Sequence, residues 1–108
     1  MIPQITVAEL KRKQDAGEPV YLVDVRNYDE HALCRLPDSL LVPLPELPAR
    51  AEEVEPPAGA LVVVYCHHGV RSLRGAAVLR AAGHENAASL SGGIDAWSRL
   101  VDPAVPRY

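Results

Sequence analysis

Two short apolar runs constrain what this chain can fold into more than any other feature. Val20, Tyr21, Leu22, Val23 and Val25 form the first, and Leu61 to Tyr65, with three consecutive valines, forms the second. Neither alternates polar with apolar residues, so neither suits a sheet with one wet face. Short β-branched runs of this kind belong to parallel strands covered on both sides. The intervening stretches read as the covering helices. Thr6 and Glu9 make a capping box that opens a helix running through Leu10 and Lys13 and stopping near Gly17. Asn27 to Leu33 has room for about two helical turns. Ser72, Gly75, Ala76, Leu79 and Gly83 recur at helical spacing along one face. A helix is therefore predicted from Arg71, with Gly83 as its stop and with Arg74 and Arg80 toward water.

Prolines punctuate the rest. Pro37 breaks the chain before a second-rank apolar run, Leu40 to Val42, and Pro43, Pro45 and Pro48 leave room for turns or a broken helix over Glu46 to Glu53. Pro56, Pro57 and Gly59 mark a loop. A weaker strand, Ala87 to Leu90, and a last helix from Ile94 to Leu100 complete an alternation of strand and helix, which argues for an α/β fold around a parallel sheet. A chain of 108 residues, 48% hydrophobic, can bury one core of its own, so residues 1–108 are expected to form one domain.

Composition removes several function classes. The net charge of -3 comes from intermixed acids and bases, without the basic cluster that follows a phosphate backbone, so nucleic acid is not expected as a partner. The longest apolar stretch, Ala60 to Cys66, is too short to span a bilayer, and Met1 to Lys13 lacks a leader pattern. Cys34 and Cys66 are too far apart for a Cys-x-x-Cys pair and too few for a secreted disulfide framework. A soluble protein of the reducing cytoplasm, away from membranes, is the expectation.

In an open parallel sheet, ligands bind beyond the C-terminal ends of the strands, where loops enter helices. Cys66 holds such a position. The segment Cys66-His67-His68-Gly69-Val70-Arg71-Ser72 joins a thiol at a strand end to a glycine that permits a tight path and an arginine in the first turn of a helix. The thiolate is the nucleophilic form of cysteine, and helix starts and nearby cations favour it. Successive amides in a curled loop make an anion nest, which suits a persulfide anion, and the Arg71 fork suits an oxyanion such as the sulfonate end of thiosulfate. The bland alternative, an inert buried cysteine, is the commoner fate of a lone thiol. The strand, loop and helix around Cys66 reverse that preference.

The same segment resembles the active-site loop of rhodanese-like domains, the thiosulfate and persulfide sulfurtransferases. Leu22-Val23-Asp24-Val25-Arg26 is similar to that family's Asp-Val-Arg signature, and Leu36-Pro37 and Val42-Pro43-Leu44 to its Ile-Pro segments. Gly83, Glu85, Asn86, Leu90 and Ser91-Gly92-Gly93-Ile94-Asp95-Ala96-Trp97 resemble its closing motif. The resemblance implies a five-stranded parallel sheet in the order 1-5-4-2-3 with helices on both faces, and a first strand near Gln4 and Ile5 beside the strand Ala87 to Leu90. It implies that Cys66 takes a sulfane sulfur from a small donor such as thiosulfate, keeps it as a persulfide, and gives it to a thiol or protein acceptor, with Arg71 orienting the donor anion. No cofactor is implied. Cys34, Arg35, Asp38 and Ser39 stand where Gly-His and Gly-Ala are usual. Cys34-Arg35-Leu36-Pro37 and the closing Asp102 to Tyr108 are nearer to rhodanese-like domains fused to activators of sulfur-carrier proteins, which extends the acceptor class to a sulfur-carrier system.

Other residues are weighed against plainer readings. His67 and His68 could be metal ligands, but neighbours on one short loop rarely converge on one ion, so no metal is expected. Asp24 and Arg26 are read as support for the site, with Arg26 paired to Asp29 or Glu30. Cys34 is read as a buried cysteine more than a resolving thiol, and Trp97 as core. Two rival functions remain. Phosphatases and arsenate reductases of this fold carry a longer loop than the four residues between Cys66 and Arg71. A non-catalytic binding module of the same fold is opposed by the presence of Cys66, Gly69 and Arg71.

Overall fold

The two valine-rich runs lie side by side at the centre of one sheet. The computed structural model describes residues 1–108. Its strands are β1 (Gln4–Ile5), β2 (Val20–Asp24), β3 (Leu40–Leu41), β4 (Leu61–Tyr65) and β5 (Ala87–Leu90), and its helices are α1 (Val7–Asp15), α2 (Tyr28–Leu33), α3 (Leu47–Arg50), α4 (Arg71–Ala81) and α5 (Gly93–Leu100). All five strands are parallel, in the order β1-β5-β4-β2-β3. β2 and β4 pair from Val20 with Leu61 to Asp24 with Tyr65, so both end on the same rim.

Strand alternation divides the core into two layers. Leu22, Val63, Tyr65, Ala88 and Leu90 face one way and pack with Leu10 of α1 and Ile94 and Trp97 of α5. Val23, Val25, Val62, Val64 and Ala87 face the other way and pack with Ala76 and Leu79 of α4 and with Leu47. Both faces of the central strands are thus covered, which is why these strands carry no polar face. At Gly75 a Cβ would stand 3.0 Å from Val64 Cγ1 and 3.1 Å from Val25 Cγ1, so the missing side chain lets α4 lie close on the sheet.

Local signals act where they were expected. Thr6 Oγ1 accepts the Glu9 amide and Glu9 Oε1 accepts the Thr6 amide, closing the capping box at the start of α1. The proline-rich stretch forms the short 3-10 turns Leu44–Glu46 and Ala51–Glu53 on either side of α3. Two expectations change. α5 starts at Gly93, one residue before Ile94, because Gly92 turns the chain at a φ of 79°. Arg80 is half-buried, since its guanidinium donates to the carbonyls of Glu85 and Ala87, while Arg74 is exposed. No helix is long and apolar enough to cross a membrane.

Candidate functional site

Cys66 follows β4 directly and continues the Val62, Val64 face toward α4. Its side chain is buried, but polar groups surround the sulfur. Sγ accepts the amides of Gly69 at 3.1 Å and Ser72 at 3.3 Å, and it lies 3.5 Å from Ser72 Oγ. Val70, the residue before α4, offers no side-chain cap, so the sulfur takes the place of the missing capping oxygen at the helix start. Negative charge there gains about 0.3–1 kcal/mol from the helix dipole. Ser72 Oγ is 2.7 Å from Ser89 Oγ, and either hydroxyl can donate. The two buried hydroxyls can therefore reverse together, accepting from a thiol or donating to a thiolate.

Backbone contacts hold the loop in this shape. Ile94 and Asp95 at the start of α5 donate their amides to the carbonyls of Cys66 and His67, at 2.9 and 3.0 Å. Both peptides are trans, so the amides of His67 and His68 point the opposite way from those carbonyls. Gly93 makes the contact possible: at its φ of 61°, a Cβ would stand 2.5 Å from both carbonyl oxygens. Gly69 turns at a φ of 97°, with backbone atoms of Gly92 and Leu90 where its Cβ would be. Both positions require glycine for two separate reasons.

Around the loop runs a charged network whose pairing the sequence does not disclose. Arg71 Nη1 and Nη2 donate to Glu30 Oε1 and Oε2 at 2.7 and 3.0 Å. Arg26, fully buried, donates to Asp24 through Nε and Nη2 at 2.9 and 2.8 Å, and also to the Cys34 carbonyl. The expected pairing of Arg26 with Asp29 or Glu30 is therefore corrected. Arg26 is shut off from solvent, and the Asp24 carboxylate two residues away is equally buried; Glu30 instead faces the loop from α2. Burial alone would lower the Arg26 pKa, but the Asp24 and Tyr108 hydrogen bonds outweigh it and raise it. Tyr108 joins the two pairs: its hydroxyl accepts from Arg26 Nη1 and donates to Glu30 Oε2, both at 2.8 Å. Side-chain hydrogen bonds thus link Asp24 and Arg26 to Arg71 of the Cys66 loop through Tyr108 and Glu30.

The Tyr108 ring stacks on His67, 3.9 Å between centroids at 7°, and His67 stacks on His68, also at 3.9 Å. Burial, followed by His68, lowers the His67 pKa, which disfavours the charged ring in the stack. Folding also brings Asp95 to the two histidines, with ligand atoms of all three within 4.8 Å. That set is the one place a metal ion could be held, although the two imidazoles lie face to face and Asp95 already accepts from Arg99 and Arg107. Cys34 is buried in the layer of α1 and α5, on the opposite side of the sheet from Cys66, and both cysteines are free. Trp97 is buried in the core, and Val70 stands exposed at the crest of the loop.

The profile of the rhodanese-like domain matches residues 6–100. The chain belongs to the rhodanese-like family. A sulfurtransferase of Allochromatium vinosum is 36% identical to this rhodanese-like domain, over 97% of this chain and 96% of that protein. Maize adenylyltransferase and sulfurtransferase MOCS3-2 is 37% identical over 97% of this chain, which spans 23% of the maize protein. Among solved structures, a rhodanese-like domain protein from Staphylococcus aureus superposes with a TM-score of 0.81 at 30% identity, covering 99% of each chain. The rhodanese-like sheet order and the helices on both faces are those the motifs implied.

Three residues of this rhodanese-like site had no role of their own in the reading of the sequence, where Glu30 stood only as a candidate partner of Arg26 and Tyr108 only as the end of the closing segment. Ser89 carried a visible signal, being the one hydroxyl in the apolar strand β5. Glu30 carried a partial one as the N3 residue of the α2 capping box with Asn27, which explains its place on the helix but not its pairing to Arg71. Tyr108 carried none in its local pattern, because its role depends on where the chain returns after α5.

Proposed function

We propose that the chain is a sulfurtransferase that carries sulfane sulfur on Cys66. The Cys66 thiolate attacks the outer sulfur of a donor such as thiosulfate or an alkyl persulfide. A new S–S bond forms, the donor's S–S bond breaks, and the electron pair leaves with sulfite or the alkyl thiolate. The terminal sulfur of the resulting persulfide carries a negative charge next to the amides of Gly69 and Ser72. An acceptor thiolate then attacks that sulfur, and the Cys66 thiolate departs with the pair. No net oxidation occurs over the cycle, so no redox cofactor is required.

The observation that carries this reading is the pair of amides directed at Sγ at the start of α4. A hydrocarbon pocket would hold an inert thiol; polar donors on a buried sulfur stabilise its anion. The family match and the sulfurtransferase name of the Allochromatium relative support the same reading. His67, His68 and Val70 form the rim that an acceptor meets. The maize relative's name joins sulfur transfer to adenylyl transfer, and adenylylation activates an acyl group for attack by sulfur. A sulfur-carrier protein is therefore the acceptor class proposed here, with cytoplasm as the compartment.

Intact mass after incubation with thiosulfate or an alkyl persulfide tests the cycle. The expected result is a gain of one sulfur atom, removed by excess thiol and absent from Cys66→Ser. Absence of the adduct with every sulfane donor overturns it.

A further inference from the structure

The guanidinium meant for a donor anion is already occupied. Both outer nitrogens of Arg71 bond to both oxygens of Glu30, an arrangement that satisfies the fork face on. The Glu30 carboxylate is in turn fixed by the Asn27 amide at 3.0 Å and the Tyr108 hydroxyl at 2.8 Å. Tyr108 is braced by Arg26, whose other side-chain bonds go to buried Asp24 and to Cys34. Swinging Glu30 away from Arg71 would thus strip bonds from a helix cap and a buried network together. Hydrogen bonding to Arg71 holds the Glu30 carboxyl at about 2, so it is an anion at any physiological pH. Burial, above all, raises Tyr108 to about 12, so its hydroxyl keeps the proton it donates to Glu30.

We propose that Glu30 is a specificity-determining residue that neutralises Arg71 and disfavours doubly charged oxyanion donors such as thiosulfate relative to alkyl persulfides. The inference rests on the sulfur-transfer reading above and concerns the same site. Thiosulfate brings two negative charges and a three-oxygen head that seeks a guanidinium fork. Here it meets a guanidinium whose charge is already matched by a carboxylate. Displacing Glu30 leaves an unpaired carboxylate beside the bound dianion; leaving it in place denies the head its cation. An alkyl persulfide asks for neither, because its leaving group is a thiolate that takes a proton from solvent. The tyrosine hydroxyl strengthens the discrimination by fixing the carboxylate.

The test compares kcat/KM for thiosulfate with that for cysteine persulfide in the wild-type protein, Glu30→Gln and Tyr108→Phe. Glutamine is accepted at the same position of a capping box, so the α2 start survives the change. In Glu30→Gln, the thiosulfate-to-persulfide ratio is expected to rise at least tenfold, chiefly through a lower KM for thiosulfate. Tyr108→Phe should move it the same way by a smaller factor, and Glu30→Gln/Arg71→Ala should abolish the gain. A ratio is insensitive to the fraction of folded protein, so a merely structural role would leave it flat. A flat or falling ratio in both single variants, with Cys66 still loaded by either donor, overturns the Glu30 proposal alone. Failure of both donors to load wild-type Cys66 overturns it together with the sulfur-transfer reading.

Discussion

Arg71 and Glu30 show how one side chain changes the meaning of another. Arg71 alone is a bare cation beside a thiol; with Glu30 on its fork it becomes half of a pair that shapes the rim of the loop. Arg71→Ala is therefore more than the loss of a donor, because it exposes an unpaired carboxylate to the incoming anion. The expected outcome is a fall of about tenfold or more in kcat/KM for thiosulfate, with a smaller fall for an alkyl persulfide. Sulfite release and thiol release, measured separately, check it; equal losses with both donors count against any role of Arg71 in donor charge. Ser72 and Ser89 act on the other side of the sulfur, where paired hydroxyls follow its charge without moving a heavy atom.

Two helix starts share the work of shaping the Cys66 loop. α4 supplies amides to the sulfur, and α5 supplies amides to the carbonyls on the outer side, so the peptide planes are gripped from both directions. This double grip depends on Gly93. Gly93→Ala adds a methyl where two carbonyl oxygens lie 2.5 Å from its ideal position, so the loop or the start of α5 must shift. The fold is expected to persist, with destabilisation of about 1–3 kcal/mol from strain at this φ. Persulfide loading of Cys66 should fall further than stability does. Circular dichroism melts alongside intact mass check this, and unchanged loading kinetics would show that the α5 contact does not set the loop's shape.

For the molecule as a whole, the network matters because it closes long loops of chain. Glu30 joins Arg71 across 41 positions and Tyr108 across 78, tying α2, the Cys66 loop and the segment after α5 into one rim. This makes part of the fold's stability dependent on pH. The Glu30 carboxyl is depressed in the folded state from 4.5 to about 2, chiefly by its hydrogen bonds to Arg71. Its contribution is complete above the unfolded value and is lost as pH falls from about 4.5 toward about 2. Urea unfolding midpoints across that window are expected to decline in the wild-type protein and to decline less steeply in Glu30→Gln. Parallel declines would assign the acid sensitivity to other carboxylates.

The amino-acid sequence by itself determined the layers. Valine runs without polar alternation required a sheet covered on both faces, the Thr6 and Glu9 pair placed the start of α1, and the small residues of α4 marked the face that lies on β4 and β5. These signals act within one turn or one strand, so they survive without knowledge of the fold. The same locality made Cys66 and its loop legible, because the strand end, the glycine and the helix start are contiguous. Only the tertiary structure decided which acid each arginine meets. Arg26 had three carboxylates within six residues along the chain, and burial of Asp24 beside it selected one. Glu30, Tyr108 and Asp95 joined the site through the crossing of separate elements at one rim, and a charge's partner across such a crossing is fixed by topology and desolvation, which no local pattern encodes.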